Sequence, residues 1–318
     1  MNKTEAKRKR LFDKYAKQLY DIVEAGLYNI ELSFDQTFIC PICLNQFSNE
    51  DLDVKKKNHL TLEDAPPYSL GGRANTLTCK KCNNESGYKI DSHLVGLLNE
   101  QELRNFSPNT ETYVTLEHKG EKVQGILKID NEGVITITHL LKNNNPEKLE
   151  KYVDKTGKGD RPILFFKASR VEAKKVEVAL LKSAYILAFE HYGYALILSR
   201  AFDVVRQQIL NPDDEIYPNG FWSKDSIYNE QNEGVHFITS KNYEGIMSIF
   251  ILETDNGAKS GYGVYLPISF HNYKEVIENL KQLETGDELE FESYKNTDYY
   301  GDVKNQQMCA DFMNTRNK

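Results

Sequence analysis

Residues 60–91, "LTLEDAPPYSLGGRANTLTCKKCNNESGYKID", predict two short strands that lead into a helix. Alternating apolar residues in "HLTLED" and "NTLTC" are typical of strands, and the Pro-Pro and Gly-Gly pairs between them impose turns. From Asn83 onward, apolar residues recur at helical spacing. A further short strand is expected near residues 36–39, and residues 60–91 are expected to fold as strand, strand and helix in that order.

Four of the five cysteines form two Cys-x-x-Cys pairs, Cys40 with Cys43 and Cys79 with Cys82. In a reducing compartment, such pairs favour a zinc site with four thiolates over the alternative of disulfides. This zinc would be structural, because four thiolates leave no open position for a substrate. A module of about sixty residues buries too little surface alone, so the metal should supply part of its stability. The fifth, Cys309, is expected to be a spare, partly buried thiol.

The string "TLEDAPPYSLGG…NTLTCKKCNNESGYKIDSHL" resembles the treble-clef HNH (ββα-metal) endonucleases, and the resemblance covers residues 36–98. Such enzymes use a second, catalytic divalent ion, Mg²⁺ or Mn²⁺, that grips the scissile phosphate while a histidine activates water. The resemblance implies that Glu63 and Asn83 bind this ion. It also implies that Asn75 is the catalytic asparagine that orients the base.

The sequence departs from the family at the position of the catalytic base, where Asp64 stands in place of histidine. A carboxylate with a reference pKa of about 3.9 is a weak base at pH 7, and a nearby cation lowers that pKa further. Asp64 could bind the metal itself, another histidine (His59 or His93) could approach, or the site could bind without hydrolysis. We favour a metal-dependent site that uses both Glu63 and Asp64, and expect the two histidines to lie on the surface.

The net charge of −7 is distributed unevenly along the chain. Residues 1–105 hold 15 Lys/Arg and 15 Asp/Glu, so the remainder carries the whole −7. A protein that grips phosphates nonspecifically would normally be basic throughout, so nucleic-acid contact should be local. The candidate contacts are the runs "KRKR" and "KKK" at residues 7–10 and 55–57, together with Arg73, Lys80 and Lys81. The alternative for short basic runs is a solvated surface.

The segment "RNFSPNTE" predicts a boundary between residues 1–105, an N-terminal helix plus the HNH-like zinc module, and residues 106–318. The second domain is expected to be α+β, with antiparallel strands around a buried helical hairpin that is interrupted near Gly193. It would recognise a substrate, a protein partner or a second copy of the chain. The tail after Lys295 shows little periodicity and is expected to be partly mobile.

The longest apolar run is interrupted by Glu177, Lys182, Glu190 and His191, which excludes a membrane span. No apolar segment follows the basic N-terminus, so no secretory signal is expected. We therefore expect a cytoplasmic α+β protein. By resemblance it is an HNH-type endonuclease that hydrolyses DNA, with RNA as a second candidate substrate, in restriction or phage defence. The alternative is a catalytically inactive zinc module that binds nucleic acid or protein.

Overall fold

The computed structural model describes residues 2–283, 288–293 and 297–317. The chain is mixed α and β, as expected, and its sheets are antiparallel. It divides into two compact units, each built from separate stretches of sequence. Unit 1 consists of Met1–Val95, Glu172–Glu253 and Lys259–Lys318, and unit 2 consists of Gly96–Val171 and Thr254–Ala258. Within the described ranges, no helix is both long and apolar enough to cross a membrane.

The first part of unit 1 follows the predicted order of strand, strand and helix. Its elements are α1 (Lys3–Glu24), β1 (Phe38–Ile39), β2 (Gln46–Phe47), β3 (Leu60–Ala65), β4 (Arg73–Cys79) and α2 (Lys80–Ser86). The helix α1 begins with a capping box, because Asn2 and Glu5 each accept a hydrogen bond from the other's backbone N–H. A π-helical turn (Gly87–Asp91) joins α2 to α3 (Ser92–Arg104), which continues into unit 2.

Unit 2 is a four-stranded antiparallel sheet with a helix and the end of α3 packed on it. Its elements are β5 (Glu111–His118), β6 (Glu121–Ile129), β7 (Ile135–Thr138), α4 (Pro146–Lys155) and β8 (Ile163–Phe166), and the strand order is β7-β6-β5-β8. Alternate residues of β5 and β6 face α4, where Leu149 and Tyr152 close a small apolar core. These strands confirm the period-two pattern of the sequence.

The remainder of unit 1 supplies a long helix and a five-stranded antiparallel sheet. The elements are α5 (Ala173–Tyr192), α6 (Tyr194–Ile197), α7 (Asp203–Leu210), β9 (Trp222–Lys224), β10 (Gly234–Ile238), β11 (Gly245–Glu253), β12 (Lys259–Leu266), α8 (Tyr273–Leu280), β13 (Phe291–Ser293) and α9 (Val303–Thr315). The strand order in the sheet is β13-β10-β11-β12-β9.

The helix α5 is the centre of unit 1, with 13 of its 20 residues buried. It ends at the predicted interruption, Gly193, where a Cβ atom would lie 1.9 Å from Oε1 of Gln18. That oxygen accepts the N–H of Tyr194 at 2.9 Å, and Nε2 of Gln18 donates to the carbonyl of Tyr192 at 2.9 Å. A side chain at position 193 would therefore displace the amide that joins α1 to the break between α5 and α6.

The division into units differs from the single boundary predicted near residue 105. The helix α5 packs on β3, β4 and the π-helical turn, and also on β10, β11 and β12. The hydroxyls of Tyr185 and Tyr194 donate to the carbonyls of Pro41 and Ile39 at 2.5 and 2.7 Å. Because one buried helix serves both the cysteine-bearing strands and the large sheet, the two share a core and cannot be separate domains.

The tail is better ordered than its polar sequence suggested. Within residues 297–317, α9 buries side chains at positions 306, 309, 310 and 313, which is helical spacing. Gln306 occupies the first of these positions, and its polarity hides the pattern. Cys309 occupies the second and is buried, so α9 has a regular pattern that the sequence of the tail did not predict.

Candidate functional site

The four paired cysteines lie together. Cys40 and Cys43 flank the turn that follows β1, Cys79 ends β4 and Cys82 lies in the first turn of α2. Their Sγ atoms are all within 4.8 Å of one another, and the Cys43 and Cys79 sulfurs are 3.8 Å apart. Tetrahedral zinc with Zn–S bonds of about 2.3 Å separates its thiolates by roughly 3.8 Å. The donor set therefore fits a closed zinc site, as the sequence predicted.

The Gly-Gly turn fixes the hairpin that carries the other candidates. A Cβ atom on Gly72 would lie 1.5 Å from the carbonyl oxygen of Pro66, so only glycine fits there. In the resulting register Glu63 faces Thr76, and a bulge separates it from Asp64. Asn75 falls opposite that bulge. The hairpin thus brings together the three residues that sequence reasoning assigned to catalysis.

Glu63 is directed into the protein. Its side chain is 3% exposed, its Oε1 lies 2.6 Å from Nζ of Lys182, and its Oε2 accepts a hydrogen bond from Thr78 Oγ1 at 2.6 Å. The same lysine lies 2.6 Å from Oδ2 of Asp91, the last residue of the π-helical turn. The Lys182 side chain is 2% exposed. Both oxygens of Glu63 are therefore engaged inside unit 1.

The charges around Lys182 favour its ionised form. Burial alone would lower the pKa of its ammonium, but the adjacent charges of Glu63 and Asp91 outweigh burial and raise it above its usual range. Burial raises the pKa of Asp91, and the neighbouring ammonium opposes that rise. A lysine so placed keeps its positive charge at neutral pH.

Asp64 has a different environment from its neighbour. Its side chain is half-buried, and its pKa is raised first by burial and then by the charge of Glu63, against the opposing charges of Lys182 and Lys7. A raised pKa makes a carboxylate a better proton acceptor near neutral pH. Asp64 is therefore a stronger base than the reference value for aspartate predicts.

Of the two donors assigned to a catalytic divalent ion, Glu63 does not fit one, because both of its oxygens are engaged by Lys182 and Thr78. The amide of Asn83 is oriented by its Nδ2, which donates to the carbonyl of Leu62 at 2.8 Å. Asn75 is exposed, and its carbonyl lies 3.5 Å from the hydroxyl of Tyr15. A hard ion such as Mg²⁺ requires oxygen ligands that are free to coordinate it. No catalytic step through such an ion follows from these residues.

Each candidate histidine is hydrogen-bonded to the backbone through Nδ1. His59 is buried, contrary to expectation, and its Nδ1 lies 2.9 Å from the carbonyl of Lys56. His93 is partly exposed, and its Nδ1 accepts the backbone N–H of Glu172 at 3.1 Å, just before α5 begins. Both rings hold backbone in place.

The basic candidates do not form one patch. Arg73 is exposed at the start of β4, whereas Lys80 and the exposed Lys81 follow its far end, about 20 Å along the strand. Within "KRKR", Arg8 is buried, and its Nη1 donates to the carbonyls of Leu52 and Leu60 at 2.9 and 3.0 Å. Arg8 is therefore a structural clamp and not a phosphate contact.

A longer basic feature runs along α1, which packs against β3 and β4. Five cations recur every three or four residues and so share one side of the helix. This cation stripe consists of Lys3, Lys7, Arg10, Lys14 and Lys17. Lys7 acts electrostatically on both Asp64 and Glu190, which places the stripe beside the candidate residues of the hairpin.

Glu190, on α5, is a buried carboxyl beside the hairpin. Its Oε1 has no hydrogen-bond partner among the described atoms. Burial raises the pKa of Glu190 to about 8, against the opposing effects of a hydrogen bond with Asn75 and the charge of Lys14. At pH 7 it is therefore largely protonated in the folded protein and ionised in the unfolded chain.

Replacing Glu190 with glutamine is expected to flatten the pH dependence of stability. Glu190 contributes fully to the free energy of unfolding below pH 4.5, where it is protonated in both states. This contribution is lost as pH rises to about 8, because in that range the unfolded chain releases the proton and the folded protein keeps it. At pH 8, the variant should gain about 3–5 kcal/mol of unfolding free energy. Urea unfolding at pH 5 and pH 8 checks this, with Glu177→Gln on the same helix as control. Parallel curves for parent and Glu190→Gln would contradict it.

Sequence reasoning missed Lys182, Asp91 and Glu190 as members of this site. A signal existed for each. Lys182 and Glu190 interrupt an otherwise apolar helix, and a buried charge requires a partner. Asp91 belongs to the string that carried the family resemblance, yet it had no assigned role.

The fold and site define an α+β protein with antiparallel sheets and a four-cysteine cluster that could hold zinc. No protein-family model, curated protein or solved structure matches the chain. Its function must therefore be inferred from the residues themselves.

Proposed function

We propose that the protein binds nucleic acid, DNA foremost, through a zinc-stabilised module that resembles a treble clef. The observation that carries this proposal is the cation stripe of α1, which lies beside the β3–β4 hairpin. Lys3, Arg10 and Lys17 are exposed, and Lys7 and Lys14 are partly buried. Polyanions bind to local concentrations of positive charge even when a protein is acidic as a whole.

The stripe has a suitable length for a duplex. Fourteen helical steps from Lys3 to Lys17 span about 21 Å at a rise of 1.5 Å per residue. That distance corresponds to about six base pairs at 3.4 Å each. Exposed Arg73 adds a further cation on the hairpin that α1 packs against. Together these charges support contact with the phosphate backbone rather than the reading of base edges.

The state of Glu63 supports binding over metal-dependent cleavage. In the resemblance to HNH enzymes, Glu63 is an acidic ligand of the catalytic ion. Here its oxygens are engaged by Lys182 and Thr78. A module that cannot present this ligand can still hold a duplex, because phosphate contacts do not need the metal.

Reversing two charges of the stripe, Lys3→Glu with Arg10→Glu, is expected to weaken duplex binding at least tenfold. The slope of log affinity against log salt should also fall by about two, because two phosphate contacts are lost. Fluorescence anisotropy with a labelled duplex over a range of KCl concentrations measures both. The control is Lys274→Glu in α8, an exposed lysine outside the stripe. Equal affinities of the parent and the stripe variant for the duplex would contradict the proposal.

The second candidate is an HNH-type endonuclease, with a role in restriction or phage defence as the resemblance implies. The observation in its favour is Asp64, which is half-buried with a raised pKa and lies near the bulge opposite Asn75. Incubating the protein with supercoiled plasmid and Mg²⁺ or Mn²⁺ decides between the two. We expect no nicking by the parent. Nicking that is lost in Asp64→Ala and Glu63→Ala, and increased in Asp64→His, would establish the enzyme instead.

A further inference from the structure

We infer that the Lys182 ammonium permanently takes the place of a divalent cation beside Glu63 and Asp91, so that the module works without a catalytic metal. The inference rests on the proposed nucleic-acid module and deepens it. A side chain of α5, far along the chain, would neutralise the acidic position that a metal neutralises in a nuclease.

The ligand geometry supports this substitution. The ammonium lies 2.6 Å from one oxygen of Glu63 and 2.6 Å from one oxygen of Asp91. Oδ1 of Asp91 is buried and has no hydrogen-bond partner among the described atoms. Carboxylate oxygens are the donors that hard divalent cations prefer. Two acidic side chains thus converge on one buried cation, and that cation is a lysine.

The packing around Lys182 keeps its ammonium beside the two carboxylates. Lys182 lies within α5, where Leu181 and Ser183 on either side are also buried. Thr78 holds the other oxygen of Glu63 at 2.6 Å, which fixes the carboxylate towards the lysine. The packing of α5 on β3 keeps the ammonium within reach of both carboxylates. A divalent ion in solution would therefore have to compete with a charge that is covalently fixed at the site.

The test is Mn²⁺ binding to the zinc-loaded full-length protein, measured by electron paramagnetic resonance. The parent, and the control Lys174→Ala on the same helix, are expected to show no Mn²⁺ site that depends on Glu63. Lys182→Ala should gain one site, bound at least tenfold more tightly than any Mn²⁺ bound by the parent. Adding Asp91→Asn to Lys182→Ala should remove it.

Two results would overturn the inference. One is a folded Lys182→Ala protein that binds Mn²⁺ no better than the parent. The other is a parent protein whose Mn²⁺ site disappears in Glu63→Gln. The comparison of the parent with Glu63→Gln tests the inference even if Lys182→Ala fails to fold. Lys182→Gln, which keeps most of the side-chain length, provides a second variant for the comparison with the parent.

A separate measurement isolates the proposed function. Mg²⁺ should not raise the affinity of the parent for duplex DNA above its value in KCl of equal ionic strength, because both cations compete with the protein for phosphates. A specific gain in affinity with Mg²⁺ would overturn the metal-independent role. If no DNA binds in either salt, nucleic-acid binding fails and the metal-independent role fails with it. The Mn²⁺ result then shows whether lysine still occupies the cation position.

Discussion

Replacing Cys79 with serine is expected to abolish zinc binding and unfold residues 36–98. Zinc binding supplies about 10–16 kcal/mol to small four-ligand modules, and a serine hydroxyl is a poor substitute for a thiolate. Cys79 ends β4, and its sulfur lies 3.8 Å from that of Cys43, so the substitution removes one of the four thiolates of the cluster. The disturbance should reach α5, whose Tyr185 hydroxyl donates to the carbonyl of Pro41 between the first two cysteines.

Elemental analysis and thermal unfolding measure this prediction. The parent should contain about one zinc per chain and the variant almost none, with loss of a cooperative transition. Cys309→Ser is the matched control, because Cys309 is also buried but lies in α9, outside the cluster. A metal-free preparation that unfolds as cooperatively as the parent would refute a structural role for zinc.

Replacing Lys182 with methionine is expected to cost about 3–5 kcal/mol of unfolding free energy at pH 7, because it leaves two carboxylates buried without their cation. The shape and volume of the side chain are nearly kept, so the loss reports charge and hydrogen bonding. The deficit should shrink as pH falls, because burial raises the pKa of Asp91 and its protonation removes an unpaired charge.

Urea unfolding of four proteins tests this second effect. They are the parent, Lys182→Met, Glu63→Gln and the double variant. Glu63→Gln added to Lys182→Met should restore part of the loss, which gives a coupling energy between the two positions. Lys174→Met on the same helix controls for the loss of a lysine, because Lys174 contacts the carbonyl of Asp213 at the surface. An additive cycle would show that the Glu63–Lys182 pair contributes no coupling to stability.

The sequence predicts the local parts of this molecule well. Two Cys-x-x-Cys pairs, the Gly-Gly turn and the strands between them depend on neighbouring residues, so spacing alone anticipates the cluster and the hairpin. Gly72 illustrates this, because its contact with Pro66 is a property of the turn itself. The break after α5 at Gly193 was visible for the same reason.

Contacts between distant residues could not be anticipated in this way. Lys182 pairs with Asp91, which lies 91 positions away in the sequence, and no pattern in either segment predicts this contact. Whether Glu63 presents its carboxylate to solvent or to a lysine depends on how α5 packs on β3, which is a tertiary property. The domain boundary was misplaced for the same reason, because α5 packs on both the β3–β4 hairpin and the five-stranded sheet, which are far apart in the sequence.

The division into two units has a consequence for how this protein could have arisen. Unit 2 is almost one continuous stretch, and its ends meet: a Cβ on Gly96 would lie 3.1 Å from Val171, and next to them His93 bonds Glu172. This arrangement is typical of a guest domain inserted into a host domain. A host tolerates such an insertion when the two points at which the guest joins it are close together. The guest could be exchanged while the host, which holds the four-cysteine cluster, kept its core.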